Sequence, residues 1–391
     1  MGKTKQQRIE FANTLRGIAA ICVLISHYAG VFWSGRGAVA GLIHAPELPL
    51  DRFGFPTYLL WLHTTVPMFN WGAFGVALFF LVSGFVIPFS VRNATWPAFL
   101  VGRFFRIVPL YACGFSITLL AIWLIGLYFG VPWPFEFKQV AIHYMPGLRD
   151  LLWSTNIDGI IWTLEIEMKF YVICALAIVW FRRQSLSVFT VPVAVAALGC
   201  FVVKNVANWA IDAPAIYTLG LAVQTSTPYL IFMFIGVVFN YLHSNRLQAE
   251  LAMFLAAGLF LLFVALLQIT APALGAMAWN YGFAVLVFAF AASFPSLFRS
   301  TRIGDFLADI SYPLYVVHGV AGYVALRVLL DLGLKAWLSL IVVTLGALGL
   351  SWLLHVVVEM PSHAFGKRLA QQLPKPVLVS APIDPLGVPA E

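Results

Sequence analysis

Charge is what this sequence has least of. Only 10% of its 391 residues are Asp, Glu, Lys or Arg, and 61% are apolar. Soluble domains carry about a quarter charged residues, so composition alone excludes a water-soluble fold. Cysteine is scarce too. Cys22, Cys113, Cys174 and Cys200 all fall in apolar runs without C-x-x-C spacing, which excludes a disulfide framework or a zinc ribbon. No run of like charge exists: the net +7 comes from basic residues that punctuate apolar segments, so nucleic acid is not the expected partner. There is no internal repeat. The basic amino terminus precedes an apolar run too long, and without the small-residue site, for a cleaved signal peptide.

What is present is a series of apolar runs of helical, bilayer-spanning length. They lie near residues 12–33, 67–89, 107–130, 160–181, 186–203, 226–243, 250–269, 277–294, 310–330 and 336–358. The expected fold is all-α, a polytopic membrane bundle of about ten transmembrane helices, with 34 Phe, 13 Trp and 13 Tyr supplying a lipid-facing surface and its aromatic belts. Alternating the connections puts fifteen Lys and Arg on one side, Lys3, Lys5, Arg8 and Lys375 among them, and six on the other. Both termini are thereby expected in the cytoplasm. The connections 34–66 and 131–159 are rich in Gly, Pro and Trp and read as covers over a cavity. Residues 204–225, interrupted by Asp212 and Pro214, read as a short surface or re-entrant helix. Residues 1–366 read as one membrane domain and 367–391 as a Pro-rich, disordered cytoplasmic tail, too short for a soluble domain.

Ionisable groups within spans are costly and mark function. Arg16 and His27 are eleven residues apart, about three turns, so they share a helix face about 16 Å apart. An arginine at the rim suits a phosphate and a buried histidine suits a general base, although Arg16 could equally snorkel to headgroups. Ser83-Gly84 permits close packing or forms a polar wall. Arg103 and Arg106, at i and i+3, suit either a phosphate clamp or a topogenic cluster. In Trp162-Thr163-Leu164-Glu165-Ile166-Glu167-Met168-Lys169-Phe170-Tyr171, Glu165 and Lys169 read as an i,i+4 pair that leaves Glu167 the freer carboxylate. Ser311, Tyr315 and His318 form a second polar stripe, for which a structural hydrogen-bond network is a rival reading. Glu359, before Pro361, reads as structural.

In this order the motifs resemble those of the acyltransferase-3 family of integral membrane acyltransferases, over most of residues 8–361. They are Arg16 to His27, Ser83-Gly84-Phe85, Arg103 to Arg106 before Pro109, Trp162 to Tyr171, Ser311-Tyr312-Pro313-Leu314-Tyr315-x-x-His318 and Glu359-x-Pro361. Thr163 and Glu165 depart from the commonest form of the fourth motif, while Glu167 takes its family position. The resemblance implies transfer of an acyl group, most often acetyl, from acyl-CoA to a hydroxyl of a carbohydrate or other envelope acceptor. No permanent cofactor and no metal are implied. The expected catalytic groups are His27 and Glu167, with Arg16, Arg103 and Arg106 for the donor and Ser83, Tyr171, Ser311, Tyr315 and His318 lining a polar cavity. His318 is the competing base, and an acyl-histidine intermediate is an open alternative to general-base catalysis. The reading from another class is a secondary transporter or channel using the same His, Glu and Arg residues. Acceptor and oligomeric state are not legible.

Overall fold

A computed structural model describes residues 10–63, 69–299 and 301–374; Lys3, Lys5, Arg8 and Lys375, and the tail beyond 374, lie outside the described residues. It is all-helical among those residues. The main elements are α1 (Glu10–Ile25), α2 (Trp71–Arg92), α3 (Trp96–Phe129), α4 (Ile161–Leu176), α5 (Thr190–Asp212), α6 (Pro214–His243), α7 (Ala249–Thr270), α8 (Ala278–Ser293), α9 (Ser311–Val317), α10 (Val320–Asp331), α11 (Ala336–Leu354) and α12 (Met360–Gln372). Among the described residues eight helical segments are long and apolar enough to cross a bilayer, and α9 with α10, bent by 58°, bring the number to nine if the bent pair is one span. These helices fit an integral membrane protein.

The shortfall from ten has a physical cause. At 16 residues α4 is about 24 Å long, shorter than a 30 Å hydrocarbon core, and Glu165, Glu167 and Lys169 all lie within it. After a break at Ala177 the chain adds only the short helix Ile178–Arg182. Residues 204–225 form no separate surface element. They are the adjoining ends of α5 and α6, which run to 23 and 30 residues and meet at Ala213. The last helix continues through Lys367 and Arg368 to Gln372, beyond the expected start of the tail.

At the centre, α2 packs against α1, α6 and α8. The α2–α6 crossing is closer than side chains permit: a methyl group on Gly84 would lie 2.0 Å from the Met233 carbonyl oxygen, and one on Gly236 2.3 Å from that of Leu81. Glycine is what lets the two backbones touch, as in other closely packed membrane helices. Gly84→Ala is therefore expected to lower stability by about 1–3 kcal/mol through overpacking against backbone that cannot move aside. Thermal unfolding in detergent checks this, with Ser83→Ala, one residue away, expected to leave the melting temperature nearly unchanged.

Candidate active site

A cavity of about 1290 Å³ opens at the end of the bundle where α1 begins and α2 ends. Its wall on α2 runs from Val76 to Ser90, a rise of about 21 Å along the helix. Around the opening stand Arg16, Arg103, Arg106, Arg299, His363 and Lys367; further in come Ser83, Thr163, Glu167, Tyr171, Ser311 and Tyr315. The opening is thus basic and the interior mixed.

The three arginines expected to act together are used differently. The Arg103 guanidinium is buried, donates to Ser90 Oγ, and is sandwiched 5.4 Å from both the Phe99 and Tyr171 rings. Such cation–π contacts fix it as part of the wall. Arg16 and Arg106 are half-buried and make no hydrogen bond or ion pair with the described residues. Their donors are available to an anion. The helix carrying Arg103 and Arg106 begins at Trp96, so both lie within it, ahead of the apolar run at 107–130 that marked the span in the sequence.

On α4 the expected Glu165–Lys169 pair does not form. Glu165 accepts two hydrogen bonds from Arg149, and Lys169 is paired with Asp150, both partners lying on the connection before α4. Glu167 Oε1 accepts from Ser83 Oγ at 3.1 Å and from the Tyr171 hydroxyl, leaving Oε2 without a protein partner among the described residues. Glu167 is accordingly the freer carboxylate, but it belongs to the cavity wall and is not hydrogen-bonded to His27. The Ser-Gly pair serves both readings at once: Ser83 faces the cavity and Gly84 the helix crossing.

His27 lies in a π-helical turn, Ser26–Val31, that continues α1. π-turns leave backbone groups mismatched and recur at functional sites. Here the carbonyls are taken up locally: Trp33 Nε1 donates to Tyr28 O (2.9 Å), Ser34 Oγ to Gly30 O (3.1 Å), and His63 Nε2 lies 3.0 Å from Ala29 O. The His27 ring centroid is 4.7 Å from that of His318 and 5.7 Å from that of Tyr323. His318 stands at the break between α9 and α10. Its Nδ1 is 2.9 Å from the Leu314 carbonyl, which can only accept, so Nδ1 carries the proton and Nε2 is a free acceptor. Buried His318 Nε2 and His27 Nδ1 both lack hydrogen-bond partners among the described residues. Unpartnered buried polar atoms are rare, and here two meet in one place. Neither histidine lines the cavity.

Residues 9–356 match the protein family described as an acyltransferase domain. The chain belongs to the acyltransferase family. It is also similar to nodulation protein 10 of Rhizobium leguminosarum bv. viciae, at 29% identity over 167 residues, 37% of this chain and 45% of that protein. Exopolysaccharide production protein ExoZ of Rhizobium meliloti (strain 1021) is 31% identical over 112 residues, 27% of this chain and 34% of ExoZ. The matches therefore span less than half the length of either curated relative. No solved structure matches.

In this member of the acyltransferase family, α4 is positioned by a buried polar cluster at the bundle's other end. Asp158 Oδ1 accepts from the Ile160 and Ile161 amides at the start of α4 (3.1 and 3.0 Å), and Oδ2 accepts from the Tyr111 hydroxyl (2.8 Å). Tyr111 in turn takes the His143 Nδ1 proton (2.8 Å), and His143 Nε2 accepts from the Ile157 amide (2.9 Å). The imidazole is neutral in this arrangement. Burial, with Arg149 nearby, pushes His143 down to about 4, and burial raises Asp158 above the usual carboxylate range. A lowered histidine value means the unfolded chain takes up a proton that the folded chain refuses. Stability is thus unaffected by His143 above pH ~6.5 and falls as the pH drops from there toward 4, by about 3 kcal/mol at most. Unfolding measured across that window in wild type and His143→Gln checks this, the variant showing a shallower slope.

Sequence reasoning missed Thr163, Ser90, Phe99, Arg299 and His363 as site residues. Thr163 was visible only as a departure from the family motif, and of the rings that sandwich Arg103, Phe99 is its i,i+4 neighbour on α3 while Tyr171, on α4, is brought to it only by the fold. The His27–His318 pairing was equally hidden, the two residues being 291 positions apart.

Proposed function

We propose that the protein transfers an acyl group, acetyl being the leading candidate, from acyl-CoA to a hydroxyl of a carbohydrate or lipid-linked envelope acceptor. The observation that carries this is the basic-mouthed cavity whose inner end adjoins a buried histidine pair. Arg16 and Arg106, with Arg299 and Lys367 at the rim, bind the donor's phosphates by charge-assisted hydrogen bonds. The pantetheine arm runs inward past Ser83, Glu167 and Tyr171. His27, with His318 beside it, takes the proton of the attacking hydroxyl; the new C–O bond replaces the C–S bond, and the CoA thiolate leaves and is protonated.

In this reading the basic end faces the cytoplasm, where acyl-CoA resides, of a bacterial inner membrane, with both chain termini on that side. The acceptor class is supported by the name of one relative, an exopolysaccharide production protein. Purified protein supplied with labelled acetyl-CoA and envelope extracts tests the proposal. Label is expected to move to a hydroxyl-bearing glycan or glycolipid. Absence of both donor binding and label transfer in folded protein would overturn it.

A further inference from the structure

The cavity and the histidine pair adjoin without being joined, and the boundary between them is small enough to identify. α2 reports the depth. A methyl group on Gly75 would lie 2.8 Å from Ala19 O and Val23 Cγ2, and one on Gly72 2.8 Å from Ser26 Oγ, so α2 and α1 run side by side with Gly72 level with the His27 turn. The innermost cavity residue on α2 is Val76, four residues from Gly72, so along α2 the cavity ends about 6 Å, one helical turn, before the level of the His27 turn.

What stands in that turn is an aromatic wall. The Tyr315 ring lines the cavity, and its centroid lies 5.7 Å from that of the His318 ring, which does not line it. Phe79 meets Tyr315 edge-on at 5.8 Å. One bond holds the phenol in place. The Thr163 hydroxyl is 2.7 Å from the Tyr315 oxygen and 3.1 Å from the Ile160 carbonyl, and its single proton goes to the carbonyl, which can only accept; it therefore receives the proton of Tyr315. The phenol is thus fastened through Thr163 to the first turn of α4, the helix that also presents Glu167 to the cavity.

We propose that the Tyr315 side chain is a movable partition between the donor cavity and the His27–His318 pair, latched shut by its hydrogen bond to Thr163. A single neutral hydrogen bond is weak enough for thermal motion to break. Turning the ring aside joins the two spaces, so that a thioester held in the cavity reaches the histidines; with the ring in place, the pair is screened from the aqueous mouth. Tyr315 is a positioning residue in this scheme. The inference rests on the proposed donor cavity only for what passes through, since the barrier itself is a property of packing.

Thiol accessibility tests it without acyl-CoA. In inside-out vesicles, a small anionic methanethiosulfonate enters from the basic end, and its reaction with the thiol of His318→Cys is followed by peptide mass spectrometry. Adding Tyr315→Ala is expected to speed that reaction more than 10-fold, and adding Tyr315→Phe or Thr163→Val, which remove the latch and keep a ring, by about 2- to 10-fold. The thiol of Ser83→Cys in the cavity wall should react at the same rate in every background, which shows that the cavity is intact. Unchanged His318→Cys labelling alongside normal Ser83→Cys labelling overturns the partition. If Tyr315→Ala disturbs the control, the Phe and Val variants decide, and no acceleration in either overturns it. Loss of acyl-CoA binding by wild-type protein would sink the donor reading and leave these rates untouched.

Discussion

His27→Ala is expected to lower turnover by about 10²- to 10⁴-fold with donor binding nearly intact, the range over which a positioned general base contributes. The expectation rests on position. His27 is eleven residues, about three helical turns, from Arg16, lies in a π-helical turn, and has a buried Nδ1 with no hydrogen-bond partner among the described residues. Donor binding is expected to be spared because the arginines proposed to meet the donor phosphates lie at the cavity mouth, about 16 Å along the helix. Two further variants separate the roles. His318 places a free Nε2 beside His27, so His318→Ala tests whether the second ring is the base or orients it. Glu167→Gln keeps the hydrogen bonds to Ser83 and Tyr171 possible in shape while removing the charge, and since Glu167 is not bonded to His27, its effect is expected on donor placement. Acyl-transfer assays with separate donor-binding measurements decide among them, and near-normal turnover by well-folded His27→Ala would falsify the assignment.

The double variant Arg16→Gln, Arg106→Gln is expected to weaken acyl-CoA binding by about 10²- to 10⁴-fold, from the loss of two sets of charge-assisted hydrogen bonds at about 1.5–3 kcal/mol each. Neither guanidinium makes a hydrogen bond or ion pair with a described residue, so the double variant breaks no direct contact; Arg16 lies close enough to Glu167 and Glu359 to feel their charge, so folding of the variant is checked before binding is measured. Arg103 is the contrast. Locked between Phe99 and Tyr171, it is expected to affect stability when replaced. Calorimetric titration at several salt concentrations checks the pair, because the arginine contribution should shrink as ionic strength rises. Unchanged affinity in the folded double variant would place the donor phosphates elsewhere.

Much of the molecule was legible along the chain because a bilayer constrains sequence so directly. Each spanning helix must satisfy its own backbone and show an apolar exterior, so spans announce themselves as runs of fixed length. The exceptions are instructive. α4 carries three charges because its partners, Arg149 and Asp150, come from the preceding connection, and local i,i+4 spacing gave no hint that Glu165 and Lys169 look outward to them. α5 and α6 extend through 204–225 because a single break at Ala213 suffices where two interruptions had suggested a separate element.

For the site, the chain by itself determined which residues are too polar for lipid: Arg16, His27, Ser83, Arg103, Arg106, Glu167, Tyr171, Ser311, Tyr315 and His318. A charge or imidazole in an apolar run is conspicuous wherever its partner lies. Only the tertiary structure decided how they are grouped. Helix crossings set by Gly84 and Gly236, and the bend after His318, put Arg103 into an aromatic sandwich, left Arg16 and Arg106 open, tied Glu167 to Ser83, and brought His27 to His318 behind Tyr315. Those contacts join residues from different helices, and their distances depend on how closely the backbones approach, which no single helix encodes.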